Sequence, residues 1–132
     1  MFFNILNRTN NITEVSGSFA PNGSSAVAST SVKGAGFSVA RTGTGVFVVT
    51  LNPAVQYAEM VAKTVQLHMG TPDGSYASVT TFTLGSTGTV TITTYIPTSP
   101  AGVYQVDPAD IAAAATNRID FNFKLRRSAR PS

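Results

Sequence analysis

The chain has 132 residues, a formal net charge of +3 and no cysteine, so it is long enough for one domain with one hydrophobic core and has no thiol for a disulfide, a nucleophile or a zinc site. Charged residues make up only 11% of the sequence and hydrophobic residues 42%, whereas an average soluble domain has roughly 25% charged residues, and this low charge is the feature to explain. The hydrophobic content argues against disorder. The apolar runs are far shorter than the ~20 residues of a membrane-spanning helix, which argues against a membrane span. The amino end does not have the pattern of a secretory signal peptide.

Residues 1–35 differ in composition from the rest of the chain. Four apolar side chains come early, at Phe2, Phe3, Ile5 and Leu6, and a stretch rich in Asn, Ser, Thr, Gly and Ala follows, with a turn signal at residues 21–24. A short strand could form around residues 13–15. The composition predicts an extended N-terminal arm rather than a core element, and its apolar start fits either an anchor on a neighbouring subunit or a frayed terminus.

From residue 36 onward, apolar and polar residues alternate with a period of two. Residues 37–42 and 46–51 flank a Gly-Thr-Gly turn, which predicts a hairpin whose inward residues include Phe47, Val49 and Leu51. Further strands are predicted at residues 61–69, where Lys63 breaks an apolar face, and at residues 78–84 and 89–96. In the last two, threonine occupies the alternate positions, as expected for a strand with one wet face.

The last third of the chain predicts one helix and the clearest strand. Residues 107–110, Asp-Pro-Ala-Asp, have the pattern of a helix N-terminus and lead into an alanine run, which predicts a short helix at residues 111–115. Residues 118–126 alternate strictly and point four residues inward: Ile119, Phe121, Phe123 and Leu125. The prediction is therefore an all-β protein: an antiparallel β-sandwich over residues 36–127, for which a jelly roll is one topology, with a short helix near the C-terminus and a basic tail at residues 128–132.

Catalytic chemistry finds little support in the sequence. The single histidine, His68, lies on the polar phase of its strand and excludes any site that needs two histidines. The six carboxylates have simpler roles, such as Asp73 in a turn, Asp107 and Asp110 at the predicted helix start and Asp120 on a strand face, and no pair is placed for acid–base work. The glycine-rich turns do not lead into a helix, as a phosphate-binding loop must. We therefore predict no enzyme activity, no catalytic residue, no cofactor and no metal site.

Positive charge is concentrated at the carboxyl end, in Lys124, Arg126, Arg127 and Arg130. Such a run could neutralise phosphates, but the aromatic residues nearby lie on the core phase and no nucleic-acid-binding module accompanies them. A contact with an acidic protein surface explains the run at least as well. The sequence thus argues against nucleic acid and membrane as partners.

Two segments carry a family resemblance. Residues 37–51, with an arginine followed by a Thr-Gly-Thr-Gly turn, and residues 117–126, with their paired phenylalanines, resemble small structural proteins of tailed bacteriophages. These are capsid decoration or cement proteins and the tip domains of head and tail fibres. The resemblance covers residues 36–127 and implies a β-sandwich, commonly trimeric, that binds other virion proteins and catalyses nothing. Arg41 is expected to bind a carboxylate or carbonyl at the edge of the core, or to cap the end of the sandwich.

The expected function is therefore that of a capsid decoration protein. It would be made in the host cytoplasm and would then sit on the capsid surface of the virion, where it would bind adjacent major capsid proteins, and itself as a homotrimer. The candidate partner-binding residues are Phe2, Phe3, Ile5, Leu6, Lys124, Arg126, Arg127 and Arg130. The main alternative is a fibre or tail tip that recognises a host-surface glycan through the wet, threonine-rich sheet face or through the loops at residues 70–74 and 97–102. Tyr76, Tyr95 and Tyr104 near those loops are the candidate contacts. A small carbohydrate hydrolase is a third interpretation, and the sequence lacks a catalytic set for it.

Overall fold

A computed structural model describes residues 12–51, 57–83, 88–98 and 100–127. Within these residues, nine strands form two antiparallel sheets. Sheet A has the strand order β2-β1-β9-β5; sheet B has the order β3-β4-β7-β6, and β8 pairs with the end of β7 beside β4. The strands are β1 (Ile12–Phe19), β2 (Lys33–Gly34), β3 (Phe37–Gly43), β4 (Val46–Leu51), β5 (Tyr57–His68), β6 (Tyr76–Thr83), β7 (Thr89–Thr98), β8 (Gln105–Pro108) and β9 (Arg118–Arg127). The predicted all-β antiparallel sandwich is confirmed.

The core lies between the inward faces of the two sheets. Its central strands are β9 in sheet A and β4 and β7 in sheet B, and the inward residues predicted for β4 and β9 are all buried. Burial of one such side chain stabilises the fold by about 1.5–3 kcal/mol. The buried hydrophobic cluster consists of Val15, Phe19, Phe47, Val49, Leu51, Val90, Ile92, Ile119, Phe121, Phe123 and Leu125.

The prediction that residues 1–35 form an arm outside the core is wrong for β1. This strand pairs with β9 over its whole length, from Ile12 opposite Arg126 to Phe19 opposite Ile119, and its Val15 and Phe19 are buried. Gly17 hides the pattern, because it holds the inward position between these two residues. A Cβ at Gly17 would overlap the Phe37 ring that covers it. Residues 1–11, which include the predicted apolar anchor, lie outside the described residues.

The predicted helix at residues 111–115 is also wrong: the described part of the chain has no α-helix, only two single 3-10 turns. Asp107 and Pro108 end β8, and the following residues form an irregular loop. Asp110 does not cap a helix, because its carboxylate is bound to Arg41 and to the Gly45 N–H. Ile111 is buried instead at the end of the sandwich. An alanine run this short does not form a stable helix in water without a cap or tertiary packing.

Candidate functional site

The charged residues of the strands are concentrated on the outward face of sheet A. Arg126 Nε lies 2.7 Å from Glu59 Oε1, and Asp120 accepts hydrogen bonds from Arg118 at 3.2 Å and lies 2.9 Å from His68 Nε2. Exposed pairs of this kind are worth about 0–1 kcal/mol each. His68 therefore lies on the polar face of its strand, as predicted, within an ion-pair network. This face also carries Glu14, Lys33 and Lys124.

The outward face of sheet B carries no charged side chain in the described residues. The registers place four rows across it: Ser38, Thr50, Thr89 and Thr83; Ala40, Val48, Thr91 and Thr81; Val46, Thr93 and Ser78; and Tyr76, Tyr95 and Pro108. We call the first three rows the hydroxyl face and the fourth row the aromatic end. The buried Thr93 of this face bonds with Thr80, which lies at the register shift of β6, since Thr80 Oγ1 lies 3.1 Å from Thr93 Oγ1.

The dimensions of this surface follow from strand geometry. Four strands about 4.8 Å apart span about 19 Å, and the four rows, each two residues or about 6.6 Å from the next, span about 26 Å. The hydroxyl face and the aromatic end together thus cover about 500 Å².

The aromatic end is where large exposed apolar side chains gather. Tyr76 and Tyr95 stack with their ring centroids 5.2 Å apart and an interplanar angle of 27°, and Tyr76 is 44% exposed. Val103 and Tyr104, 57% and 70% exposed, precede β8 at the same end of sheet B. The structure therefore brings together Tyr76 and Tyr95, two of the three tyrosines named for glycan recognition, and places Tyr104 on the adjoining loop.

An ion pair between distant parts of the chain closes one end of sheet B. The Arg41 guanidinium donates to both oxygens of Asp110, at 3.1 and 2.8 Å, and Asp110 also accepts the Gly45 N–H at 2.8 Å. The hydrogen bonds from Arg41 hold the pKa of Asp110 below its usual value, and the same pairing raises the pKa of Arg41. The expectation that Arg41 binds a carboxylate at the core edge is confirmed.

The predicted partner-binding residues fall into two groups: those outside the described residues and those on the outward face of sheet A. Phe2, Phe3, Ile5, Leu6 and Arg130 lie outside the described residues, as does the side chain of Arg127. Lys124 and Arg126 lie on the outward face of sheet A, opposite Glu14 and Glu59 in register. Their charge is therefore largely balanced by neighbouring carboxylates rather than gathered into a basic surface.

The sequence predicts a wet, threonine-rich strand face, but it does not show that the hydroxyl face extends over four strands without a charge. Alternating threonines in residues 89–93 indicate one wet strand face, but one strand does not reveal which strands lie beside it. The face becomes visible only when the pairing of β3, β4, β6 and β7 is known.

Comparisons with protein-family models, with curated proteins and with solved structures gave no match. In the described part of the chain, no group of three or more acidic or histidine side chains could hold a metal ion. No helix of these residues is long and apolar enough to span a membrane.

Proposed function

We propose that this chain is a non-enzymatic structural protein of a phage particle: a decoration protein that binds adjacent major capsid proteins and stabilises the head. The observation that carries the proposal is the separation of charge between the two outward faces. The charged face of sheet A is suited to permanent contact with water. The face of sheet B, which offers valine methyls, threonine hydroxyls and a tyrosine pair, is suited to burial against protein.

The cost of burial differs strongly between the two faces. Covering an unpaired charge carries a penalty of several kcal/mol, whereas hydroxyls can bond to a partner or to one another, as Thr80 and Thr93 already do. Tyrosine is also one of the residue types most often found at the energetic centres of interfaces. In our proposal, sheet B is therefore the side that docks on the capsid, and sheet A is the side exposed on the particle surface.

The size of the face suits attachment at several points. One copy offers about 500 Å², less than the ~800 Å² per partner of a standard stable interface. Three such faces in a homotrimer would offer about 1,500 Å². Multivalent attachment then turns weak single contacts into stable binding, which suits a protein that ties several capsid subunits together.

The virion location and the capsid partner come from the resemblance of residues 37–51 and 117–126 to phage structural proteins. They are supported by the low overall charge, because a protein adapted to remain alone in solution normally carries more. Most of the charged residues in its strands lie on the outward face of sheet A, as expected for a protein that presents the outward face of sheet B to a partner.

The test is binding of the purified protein to capsids that lack it, with one lysine placed on each face in turn. Thr91→Lys puts a charge at the centre of the hydroxyl face, between Val48 and Thr81. Thr64→Lys makes the same change on the outward face of sheet A, where Thr64 is exposed and lies opposite Asn122. Both variants should remain folded, because β-propensity changes span only about 1 kcal/mol.

We expect Thr91→Lys to weaken capsid binding by about 100-fold or more, since burying an unpaired charge costs about 3 kcal/mol or more and each 1.4 kcal/mol is tenfold. Thr64→Lys should bind like the wild type. Equal binding by both variants, or no binding by the wild type together with sedimentation as a monomer at micromolar concentration, would refute the proposal.

A second function, glycan recognition by a fibre or tail tip, is favoured by one observation, the exposed tyrosine pair of the aromatic end. Aromatic faces with hydroxyls beside them suit a sugar ring. A glycan array separates the two functions: selective binding that is lost in Tyr76→Ala and Tyr104→Ala would support the tip, and no binding to any glycan would exclude it.

A further inference from the structure

A groove runs along the side of the sandwich where β5 of sheet A lies against β6 of sheet B. Its walls are residues 60–63 and 79–82, and it has a volume of about 260 Å³. Three of its side chains, those of Met60, Val79 and Phe82, are half-buried and pack against the hydrophobic core. The groove therefore brings part of the apolar edge of the core to the surface.

Each wall of the groove contains a bulge. The register of β5 shifts at Val61 and that of β6 shifts at Thr80, and neither residue has a partner in the adjacent strand. Bulges re-aim side chains and are common next to active sites. Val61 is 47% exposed, and Lys63, which lies opposite the buried Phe123 in register, is exposed as well. No carboxylate of the described residues forms an ion pair with Lys63, so the groove combines an apolar wall with one positive charge.

This set of side chains fits an aromatic ring. A methionine sulfur packs favourably on a ring edge, two aromatic rings attract each other when offset or tilted, and a lysine ammonium is attracted to a ring face. Met60, Phe82 and Lys63 supply these three contacts. The volume of the groove lies below the ~300–1,000 Å³ of sites that enclose a small-molecule ligand, so the groove suits one or two side chains of a chain segment.

The chain itself contains suitable rings. It has eight phenylalanines. Two of them, Phe2 and Phe3, belong to residues 1–11, in an apolar stretch without a carboxylate. The other six are buried or half-buried in the described residues: Phe19, Phe37, Phe47, Phe82, Phe121 and Phe123.

The groove lies within reach of Phe3. Ile12, the first residue of β1, and Glu59 of β5 both pair with Arg126, on opposite sides of β9. They are therefore two strand spacings apart, about 10 Å, and Lys63 lies about 13 Å further along β5 at about 3.3 Å per residue. The nine steps from Ile12 back to Phe3 span up to about 30 Å, which exceeds the two distances together.

We propose that residues 1–6 fold back and bind the groove of their own chain, with the Phe3 ring against Met60 and Phe82 and beside the Lys63 ammonium. The short connection to β1 gives the segment an effective concentration in the millimolar range at this groove, which favours its own copy over a neighbouring one. The inference assigns an apolar segment that the sequence predicts to bind a partner to the chain's own surface. It does not rest on the proposed function, because the outward face of sheet B remains free to dock on a capsid.

The absence of tryptophan from the native chain provides a direct reporter. Phe3→Trp introduces the only indole, and acrylamide quenching of its fluorescence measures its exposure. We expect the quenching constant to be at least about threefold lower in the folded protein than in urea, because the bound ring is removed from water. Val61→Lys in the same background adds a second positive charge to the groove and should restore most of the quenching. Thr64→Lys, an exposed position on the outward phase of the same strand, should leave it unchanged.

Cross-linking shows whether the segment binds its own copy, because the native chain has no cysteine. Asn4→Cys combined with Ala62→Cys places one thiol beside Phe3 and the other in the groove. The matched control combines Asn4→Cys with Gln66→Cys, which moves the second thiol four residues along the outward phase of β5 and out of the groove. We expect a short bismaleimide to join the first pair within one chain at least about tenfold faster than the control pair.

Four results would overturn the inference. These are equal quenching of the Phe3→Trp indole in the folded and the urea-unfolded protein, equal effects of Val61→Lys and Thr64→Lys on it, equal cross-linking rates of the two cysteine pairs, and covalent dimers as the main product. The last result would assign the groove to the segment of a neighbouring copy. Capsid binding is measured separately, so loss of the proposed function and loss of this inference can be told apart.

Discussion

Replacement of Gly45 by alanine should be among the most damaging single changes outside the hydrophobic core. Gly45 has φ = +67°, and a Cβ there would lie 2.6 Å from the Ala109 carbonyl oxygen and 2.8 Å from both the Ala109 nitrogen and the Thr94 carbonyl oxygen. All three atoms are backbone, so no side chain can rotate away. They also belong to the junction where the β3–β4 turn and the end of β8 meet on β7.

The magnitude follows from three contributions. A left-handed conformation costs a residue with a Cβ about 1–2 kcal/mol, and the steric overlap costs about 1–3 kcal/mol. Separating the strands weakens the bond from the Thr94 N–H to the Gly45 carbonyl, now 2.8 Å, and the bond from the Ala109 N–H to the Thr94 carbonyl, now 2.9 Å, at about 0.5–1.5 kcal/mol each. Added together, these contributions predict that Gly45→Ala lowers the free energy of unfolding by about 3–8 kcal/mol.

Gly36→Ala is the matched control, because Gly36 has φ = +88° but nothing within 4 Å of its Cβ position. It should show only the conformational cost of about 1–2 kcal/mol. Urea unfolding of the two variants and the wild type, with a common slope, measures both values. Equal destabilisation by the two substitutions would refute the steric argument and, with it, the tight junction at Gly45.

Three further predictions concern the loop at the sandwich end and the edge of sheet A. Arg41 lowers the pKa of Asp110 in the folded protein. The ionised carboxylate therefore stabilises the fold above its unfolded pKa of about 3.9, and this stability is lost as the pH falls through the lower folded pKa. We expect the free energy of unfolding of Asp110→Asn to depend less steeply on pH than that of the wild type between about pH 5 and pH 1. Asn117→Ala should cost about 1–3 kcal/mol in urea unfolding, because Asn117 is buried and its amide bonds to two loops; a loss below about 0.5 kcal/mol would contradict this. Lys63→Val should increase concentration-dependent light scattering, because it removes an exposed charge from the edge strand β5 on the phase of the buried Phe123, whereas Thr64→Val on the outward phase should not.

Burial was predicted best in strands whose apolar and polar residues alternate without interruption. In β9, four alternate apolar residues indicate one buried face, and Phe47, Val49 and Leu51 do the same for β4. The burial of these residues depends mainly on the local period of two, which can be read without knowing the neighbours. For the same reason β1 was misjudged, since Gly17 interrupts its pattern and the residue that fills the space, Phe37, is 20 positions away.

The parts that could not be predicted depend on contacts between distant segments. The Asp-Pro-Ala-Asp pattern fits a helix start, but it fits equally well a strand end followed by a carboxylate that binds elsewhere. Only the position of Arg41, 69 residues earlier, decides between them. The hydroxyl face likewise can be recognised only when the pairing of its four strands is known. Local periodicity does not determine which strands pair.

The most direct test of the account is to measure which face is covered in the assembled particle. In a chain without native cysteine, Thr91→Cys and Thr64→Cys each place one thiol, at the centre of the hydroxyl face and on the outward face of sheet A. The rate of maleimide labelling is then compared between the free protein and the capsid-bound protein. We predict that binding slows labelling of Thr91→Cys at least tenfold and leaves Thr64→Cys unchanged. Protection of Thr64→Cys, or equal rates at both positions, would contradict the central claim that sheet B is the docking side.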